Sequence, residues 1–286
     1  MDEGARDGTA DICGDFEREF SGIFRFLVQK GKGKSNALNL GIASARGDIL
    51  AMTDDDVLCA PDYVEGIQTV FAHPGVDGAQ GRVLLDCDGG LPEWMSAKLV
   101  KFMSLRDCGD EIREWSESLS GTNMVVRAEA ARRVGGLAPE LGPGGTGFAE
   151  DTEFSLRLLD AGCRFVYAPQ IVVRHQLPRG RLTKSFFRRR YFGLGRSHAY
   201  YAPLDAPLWR FGLYVGKYWL TMQAKSLGQR LAKRPAEALD CECDALKQAG
   251  FFWQHWQFDR GVPRQLSRVT SWAQEGDRHF ELPISC

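Results

Sequence analysis

No run of apolar residues in this 286-residue chain is long enough to cross a bilayer. The longest, Phe211 to Met222, covers 12 residues and already contains Lys217, whereas a spanning helix needs about 20. The eight cysteines, at 13, 59, 87, 108, 163, 241, 243 and 286, include no CxxC pair, which excludes the usual zinc ribbon or finger. Cys241-Glu242-Cys243 is spaced too tightly for an ordinary structural disulfide. With no signal peptide after Met1, the thiols are expected to be reduced and the protein cytoplasmic. A phosphate-binding Walker loop is missing too. Gly31-Lys32-Gly33-Lys34-Ser35 ends like one, but the position five before Gly33 is Val28 instead of glycine. Net charge is almost absent, at −1, and there is no internal repeat or low-complexity tract.

The composition, 44% hydrophobic and 26% charged, is that of a globular chain able to form one large α/β domain, alone or with a helical appendage. Charge is unevenly placed. Residues 1–173 carry 17 Lys+Arg against 28 Asp+Glu, whereas residues 174–234 carry 14 against the single acid Asp205, a net of +13. Such a segment attracts phosphates or anionic lipid, or else forms a solvated helix face docked on the acidic part. Leu208, Phe211, Val215 and Tyr218 share one helical face there, which suits either a membrane-surface helix or a plain core helix. No nucleic-acid-reading motif accompanies the charge, so no nucleic-acid partner is expected.

The apolar spacing predicts alternating strands and helices: a helix from Ala10 to Phe20, a short strand from Phe24 to Val28, a helix from Lys34 to Ala45 and a buried strand from Asp48 to Thr53. A helix beginning near Pro61, a strand from Asp77 to Leu85, a strand from Thr122 to Arg127 and a helix from Ala128 to Val134 follow. A helix from Glu150 to Gly162 and strands at Arg164–Ala168 and Ile171–Val173 lead into the basic, helical remainder. This alternation predicts an α/β, mainly parallel, twisted sheet.

The chemistry-bearing residues stand at the ends of these elements. Asp54, Asp55 and Asp56 follow the Ile49–Thr53 run directly, at the carboxyl edge where α/β sheets bind ligands. Three adjacent carboxylates repel one another and favour a hard cation such as Mg²⁺ or Mn²⁺; the alternative is an acidic turn capping the next helix. Glu150 and Asp151 open a helix after the glycine-rich stretch Gly142 to Gly147, placed either to take a proton from an acceptor hydroxyl or simply to complement the helix dipole. His175 follows an apolar strand and is a candidate metal ligand or a structural histidine. Arg188, Arg189, Arg190 and Arg196 suit either a diphosphate leaving group or membrane phosphates. Trp94, Phe102 and Trp115 are candidates for stacking on a sugar, or for the core.

Four segments, in order, resemble the family 2 glycosyltransferases, inverting enzymes of the nucleotide-sugar-binding GT-A fold. They are Asp2-Glu3-Gly4-Ala5-Arg6-Asp7-Gly8-Thr9, then Gly33-Lys34-Ser35-Asn36-Ala37-Leu38-Asn39, then Asp54-Asp55-Asp56 at the DxD position, then Gly121-Thr122-Asn123-Met124-Val125-Val126-Arg127 with Glu150-Asp151. The resemblance implies a GT-A-type domain over residues 1–178 and a helical, basic C-terminal extension over 179–286, whose charge suits peripheral contact with the cytoplasmic membrane face. It implies that Asp2 contacts the nucleotide base and that Lys34, Asp54 and Asp55 serve the nucleotide. Asp56 and His175 hold the metal, and Asp151 acts as base with Glu150 beside it. Arg189 and Arg190 serve the diphosphate, and Gly121, Thr122 and Asn123 line the donor and acceptor pocket. The expected reaction is metal-dependent hexosyl transfer, with inversion, from a nucleotide sugar (a UDP-sugar favoured) to a saccharide or lipid-linked acceptor in polysaccharide or glycolipid synthesis. A nucleotide-binding or assembly protein that retains the fold is the alternative. Because the family's first strand and helix precede the Asp2–Thr9 turn, the chain as given is expected to be less stable and less active than an N-terminally extended one.

Overall fold

The computed structural model describes residues 8–29 and 31–267. The described chain begins with α1 (Thr9–Glu19), α2 (Lys34–Ser44), β1 (Ile49–Thr53) and β2 (Val57–Cys59). It continues with α3 (Tyr63–Phe71), β3 (Gly78–Asp86), α4 (Ala97–Phe102), β4 (Arg113–Trp115), β5 (Asn123–Arg127) and α5 (Ala128–Val134). Then come α6 (Glu150–Asp160), β6 (Phe165–Gln176), a 3-10 turn (Arg179–Arg181), α7 (Lys184–Tyr201), α8 (Leu208–Leu231) and α9 (Pro235–Asp259). The helices at Ala10 and Lys34 and the strands at Asp48, Asp77 and Thr122 thus form close to their expected bounds. Phe24 to Val28 does not form the expected strand; within that run Val28 alone is in a bridge.

The sheet runs in the order β1-β5-β3-β6-β2, with β4 also on β6. Here the expectation of a mainly parallel sheet needs correction. Among the described strands β3 and β6 pair in parallel, while β1–β5, β3–β5, β2–β6 and β4–β6 are antiparallel. The physical reason lies in β5. β1, β3 and β6 do run the same way, as their helical crossovers require, but β5 is inserted between β1 and β3 in the opposite sense. A strand buried on both faces is apolar whichever way it runs, so Met124-Val125-Val126 carries no sign of direction.

Alternate residues of the sheet build two cores. Leu50, Met52, Met124, Val126 and Tyr167 face Ile42 of α2 and Phe154 and Leu158 of α6. Ala79, Val83, Val125, Ile171 and Val173 face Tyr63, Ile67, Val70 and Phe71 of α3. The two short strands expected around Pro169 are one strand with an irregularity: Gly81 pairs with Ala168, but Arg82 pairs with Val172. Proline has no N–H to give the ladder, so the chain skips Pro169 to Ile171 there.

A third core joins the sheet to the C-terminal helices through Leu99, Met103, Phe187, Tyr191, Leu239 and Cys243. Helices α7 and α9 touch backbone to backbone. A Cβ built on Gly195 would stand 1.9 Å from the Lys247 carbonyl oxygen, and one on Gly250 would stand 2.0 Å from that of Phe192. Helix α8 lies on α9, with the Phe211 ring against Phe251 and Phe252. The face holding Leu208, Phe211, Val215 and Tyr218 is therefore the inward one, and Val215 is buried.

Candidate functional site

A cleft of about 800 Å³ opens at the carboxyl edge of β1 and β6. Its floor is the Asp54–Asp56 turn. β2 pairs antiparallel with β6 so that Val57 stands opposite His175, and the Asp56 carbonyl accepts the Gln176 N–H at 2.7 Å. This register, rather than any nearness in sequence, sets Asp56 beside His175.

His175 is buried and its Nδ1 lies 3.1 Å from the Met103 carbonyl oxygen. A carbonyl only accepts, so Nδ1 carries the proton and a neutral ring turns the Nε2 lone pair outward. Nε2 lies 3.4 Å from Asp56 Oδ1, and both atoms are buried without a hydrogen-bond partner. Two acceptors that close call for a cation between them, a proton or a metal. The Arg181 guanidinium holds the other oxygen, Oδ2. With a proton on Nε2, His175 first and then Arg181 hold the Asp56 carboxyl at about 2 against the opposing effect of burial.

On the opposite side, Lys34 opens α2 after Gly33, whose φ is 89°. The approach of two loops requires glycine here: a Cβ on Gly33 would stand 2.8 Å from the Pro143 carbonyl oxygen, and one on Gly144 would stand 2.4 Å from the Gly33 Cα. The glycine-rich stretch thus presses on the Lys34 loop, its backbone meeting backbone. Lys34 Nζ contacts Asp54 Oδ1 and lies 3.6 Å from Glu150 Oε1. Burial alone would lower the Lys34 pKa, but Asp54, Glu150 and Asp151 outweigh it and the net shift is upward. Thr122 donates to Asp54 Oδ2 at 3.0 Å.

Glu150 and Asp151 form the first turn of α6 after Ala149, which is buried with a φ of 69°. A left-handed alanine is strained by about 1 kcal/mol, and here it turns both carboxyl groups toward the cleft, whose lining includes them. Burial, followed by repulsion from Asp151, raises Glu150 well above the ordinary carboxylate range. Asp151 accepts the Gly121 N–H at 2.8 Å and the Thr152 N–H at 2.7 Å, one on each oxygen. Oδ1 also receives the Thr152 hydroxyl at 3.4 Å, so it is Oδ2 that keeps a further lone pair with which to take a proton. Arg190 lines the wall, its guanidinium 4.5 Å from the Phe148 ring, and Phe102 stacks on Phe148 with centroids 5.0 Å apart.

The cleft therefore gathers Lys34, Asp54, Asp55, Asp56, Thr122, Glu150, Asp151, His175 and Arg190. Gly121 adjoins it, since a Cβ there would stand 3.5 Å from Lys34 Nζ. Asp2 lies outside the described residues. Two expectations are corrected. Arg189 is exposed, one step round α7 from Arg190, and does not line the cleft. Asn123 is fully buried in the sheet. Its Nδ2 donates to the Arg82 and Ile171 carbonyls, at 3.0 and 2.8 Å, and its Oδ1 accepts from Tyr63 at 3.0 Å. It closes the irregularity beside Pro169 and has nothing left for a ligand. Trp115 belongs to the core and Trp94 packs edge-on against Phe187. Arg181 and Lys32 are cleft cations that sequence reasoning missed: nothing distinguishes Arg181 among the fourteen basic residues of 174–234 until the turn after β6 brings it to Asp56. Among the described residues no three His, Cys, Asp or Glu side chains form a metal cage.

Residues 1–135 match the family described as glycosyl transferase family 2. The chain is 26% identical over 185 residues to a probable glycosyltransferase, YdaM, of Bacillus subtilis, covering 60% of this chain and 42% of that protein. It is 27% identical over 164 residues to the pre-mycofactocin glycosyltransferase of Mycobacterium tuberculosis, covering 57% and 34%. The chain thus spans less than half the length of these curated relatives. Among solved structures, the mannosyltransferase PcManGT of Pyrobaculum calidifontis, in complex with GDP-Man and Mn²⁺, matches 92% of this chain and 66% of its own, with a TM-score of 0.51 at 18% identity. That likeness concerns the fold.

Proposed function

We propose that this chain, whose residues 1–135 match glycosyl transferase family 2, belongs to that family and transfers a sugar, with inversion, from a nucleoside-diphosphate sugar to a hydroxyl acceptor. The observation that carries the reading is the pair of buried, unpartnered acceptors, His175 Nε2 and Asp56 Oδ1, 3.4 Å apart in the cleft that also contains Asp151. A carboxylate oxygen with an imidazole nitrogen fits a divalent ion, and the mixed donor set suits Mn²⁺ better than Mg²⁺. Asp56 and His175 would hold it, and when bound it supplies charge stabilisation for the diphosphate. The relative solved with GDP-Man and Mn²⁺ supports this part of the reading.

The rest is done by the chain's own residues. Asp54, buttressed by Lys34 and Thr122, suits a ribose hydroxyl, and Asp55 lies beside it. Asp151, oriented by the Gly121 and Thr152 N–H groups, takes the acceptor hydroxyl proton. The acceptor oxygen then bonds to the anomeric carbon from one face. The carbon–oxygen bond to the diphosphate breaks on the other, and its electron pair leaves on the phosphate oxygen. Lys34, Arg181 and Arg190 offset that developing charge. A UDP-sugar donor and a saccharide or lipid-linked acceptor belong to the same proposal. So does a catalytic unit of 1–178 with a helical extension, to which Arg181 and Arg190 belong although they line the cleft.

Isothermal titration of UDP and GDP, with and without Mn²⁺, into the chain and its Asp56→Asn variant tests the reading. Metal-dependent binding that the substitution removes is expected. Asp151→Asn is expected to keep that binding and lose transfer. Binding indifferent to both Mn²⁺ and Asp56 would refute the metal assignment, and transfer undiminished in Asp151→Asn would refute the base.

A further inference from the structure

Helix α8 is apolar on both sides. Its inner face packs Val215 and Met222 against α9, and Ser226 is buried with them. Its outer face presents Trp209, Leu213, Leu220, Leu227 and Leu231, which are 59–78% exposed. Gly216 and Ala224 fill the gaps between them, so the stripe repeats every three or four residues over the full 24-residue length. Nothing among the described residues covers these side chains. The helix holds Arg210, Lys217, Lys225 and Arg230 and not one Asp or Glu.

Three acids of α9 are engaged elsewhere, while Glu237 and Asp259 are exposed near its two ends. Asp240 accepts from Ser96 and Asp244 pairs with Lys98, both against α4, and Glu242 is held by Arg188, Arg230 and Ser226. Trp253, 43% exposed, lies toward the same end of the α8–α9 pair as Trp209, since Phe211 meets Phe251 and Phe252. No helix of the described residues is long and apolar enough to cross a membrane. An apolar stripe on a helix whose charged side chains are all cations, with exposed tryptophans at one end, has the chemistry of a helix lying in a negatively charged interface.

We propose that the outer stripe of α8 docks on an anionic phospholipid surface, with Leu213, Leu220 and Leu227 entering the acyl boundary and Arg210 and Lys217, which flank the stripe, meeting the headgroups. The inference concerns a surface remote in kind from the cleft and is independent of the transferase reading, because its assay contains no nucleotide.

The test is co-sedimentation of the full chain with phosphatidylcholine vesicles containing or lacking phosphatidylglycerol. Binding is expected to the anionic vesicles only and to weaken with salt. L213Q/L220Q/L227Q is expected to lose affinity roughly a hundredfold or more, and R210Q/K217Q about thirtyfold. These side chains are exposed, so both variants should keep the circular dichroism and melting transition of the parent. Equal binding to neutral vesicles, no binding to either, or binding unchanged in the leucine variant would overturn the proposal. So would a dimer in light scattering that the leucine variant converts to monomer, which would assign the stripe to a second copy.

Discussion

Replacing Lys34 by methionine removes a cation that contacts Asp54 and faces Glu150 and Asp151, and the consequence should depend on pH. Lys34 Nζ lies 3.6 Å from Glu150 Oε1, with the two side chains 27% and 7% exposed. At an effective dielectric of about 20, that attraction amounts to about 4–5 kcal/mol before opposing terms are counted. Methionine spares the desolvation of an ammonium group, and Glu150 can escape by staying protonated, so the net effect of this pair falls to about 1–2 kcal/mol. Glu150 already titrates above its ordinary value through burial and Asp151, and Lys34 is the group that pulls it back down. A carboxyl group whose folded pKa is raised binds its proton more tightly in the native state, so stability falls as pH rises from the unfolded value toward the folded one. In Lys34→Met that fall continues to higher pH. The variant should therefore lose little beyond the Asp54 contact near about pH 5, and a further 1–2 kcal/mol or so near about pH 8. Urea unfolding at both values measures it, and adding Glu150→Gln should abolish the difference. An equal loss at both pH values, or a greater loss in acid, would refute the coupling of Lys34 to Glu150.

Asp56 should shape the acid limb of the stability curve in the opposite sense. Its folded value of about 2 lies below the ordinary 3.8, so its contribution, about 2 kcal/mol at most, is complete above the ordinary value and disappears as pH falls toward 2. Asp56→Asn should lower stability at neutral pH and flatten the acid transition followed by circular dichroism; a parallel downward shift would exclude it. Asn123→Ala should cost about 3 kcal/mol by leaving two buried carbonyls and the Tyr63 hydroxyl unpaired, with nucleotide affinity of the folded protein unchanged. A loss of affinity in a variant of normal stability would return Asn123 to the binding site.

Local patterning was enough wherever one element decides its own conformation. The helix from Lys34, the apolar run of β1 before three aspartates and the helix from Ala128 depend on propensity and periodicity within a few residues, and all were legible. So was the cleft's carboxylate set, because Asp54–Asp56 and Glu150–Asp151 occur where a strand ends and a helix begins. Phe24 to Val28 shows the limit: a run with strand propensity becomes a strand only if a partner offers its ladder.

Partnership across the chain is what only the tertiary structure could decide. The direction of β5, the skip at Pro169 and the use of Asn123 to close it depend on three strands meeting. Arg189 and Arg190 are equivalent in sequence, yet a rotation of about 100° round α7 separates the exposed one from the one in the cleft. Arg181 became a site residue through a turn after β6, and His175 through its register with Val57. Helix α8, apolar on two faces, shows the division most plainly. Its sequence determined that it would be a helix of high apolar content and exclusively positive charge. Which face turns inward was decided by α9, because burial is a property of a pair of surfaces and no single helix specifies its partner.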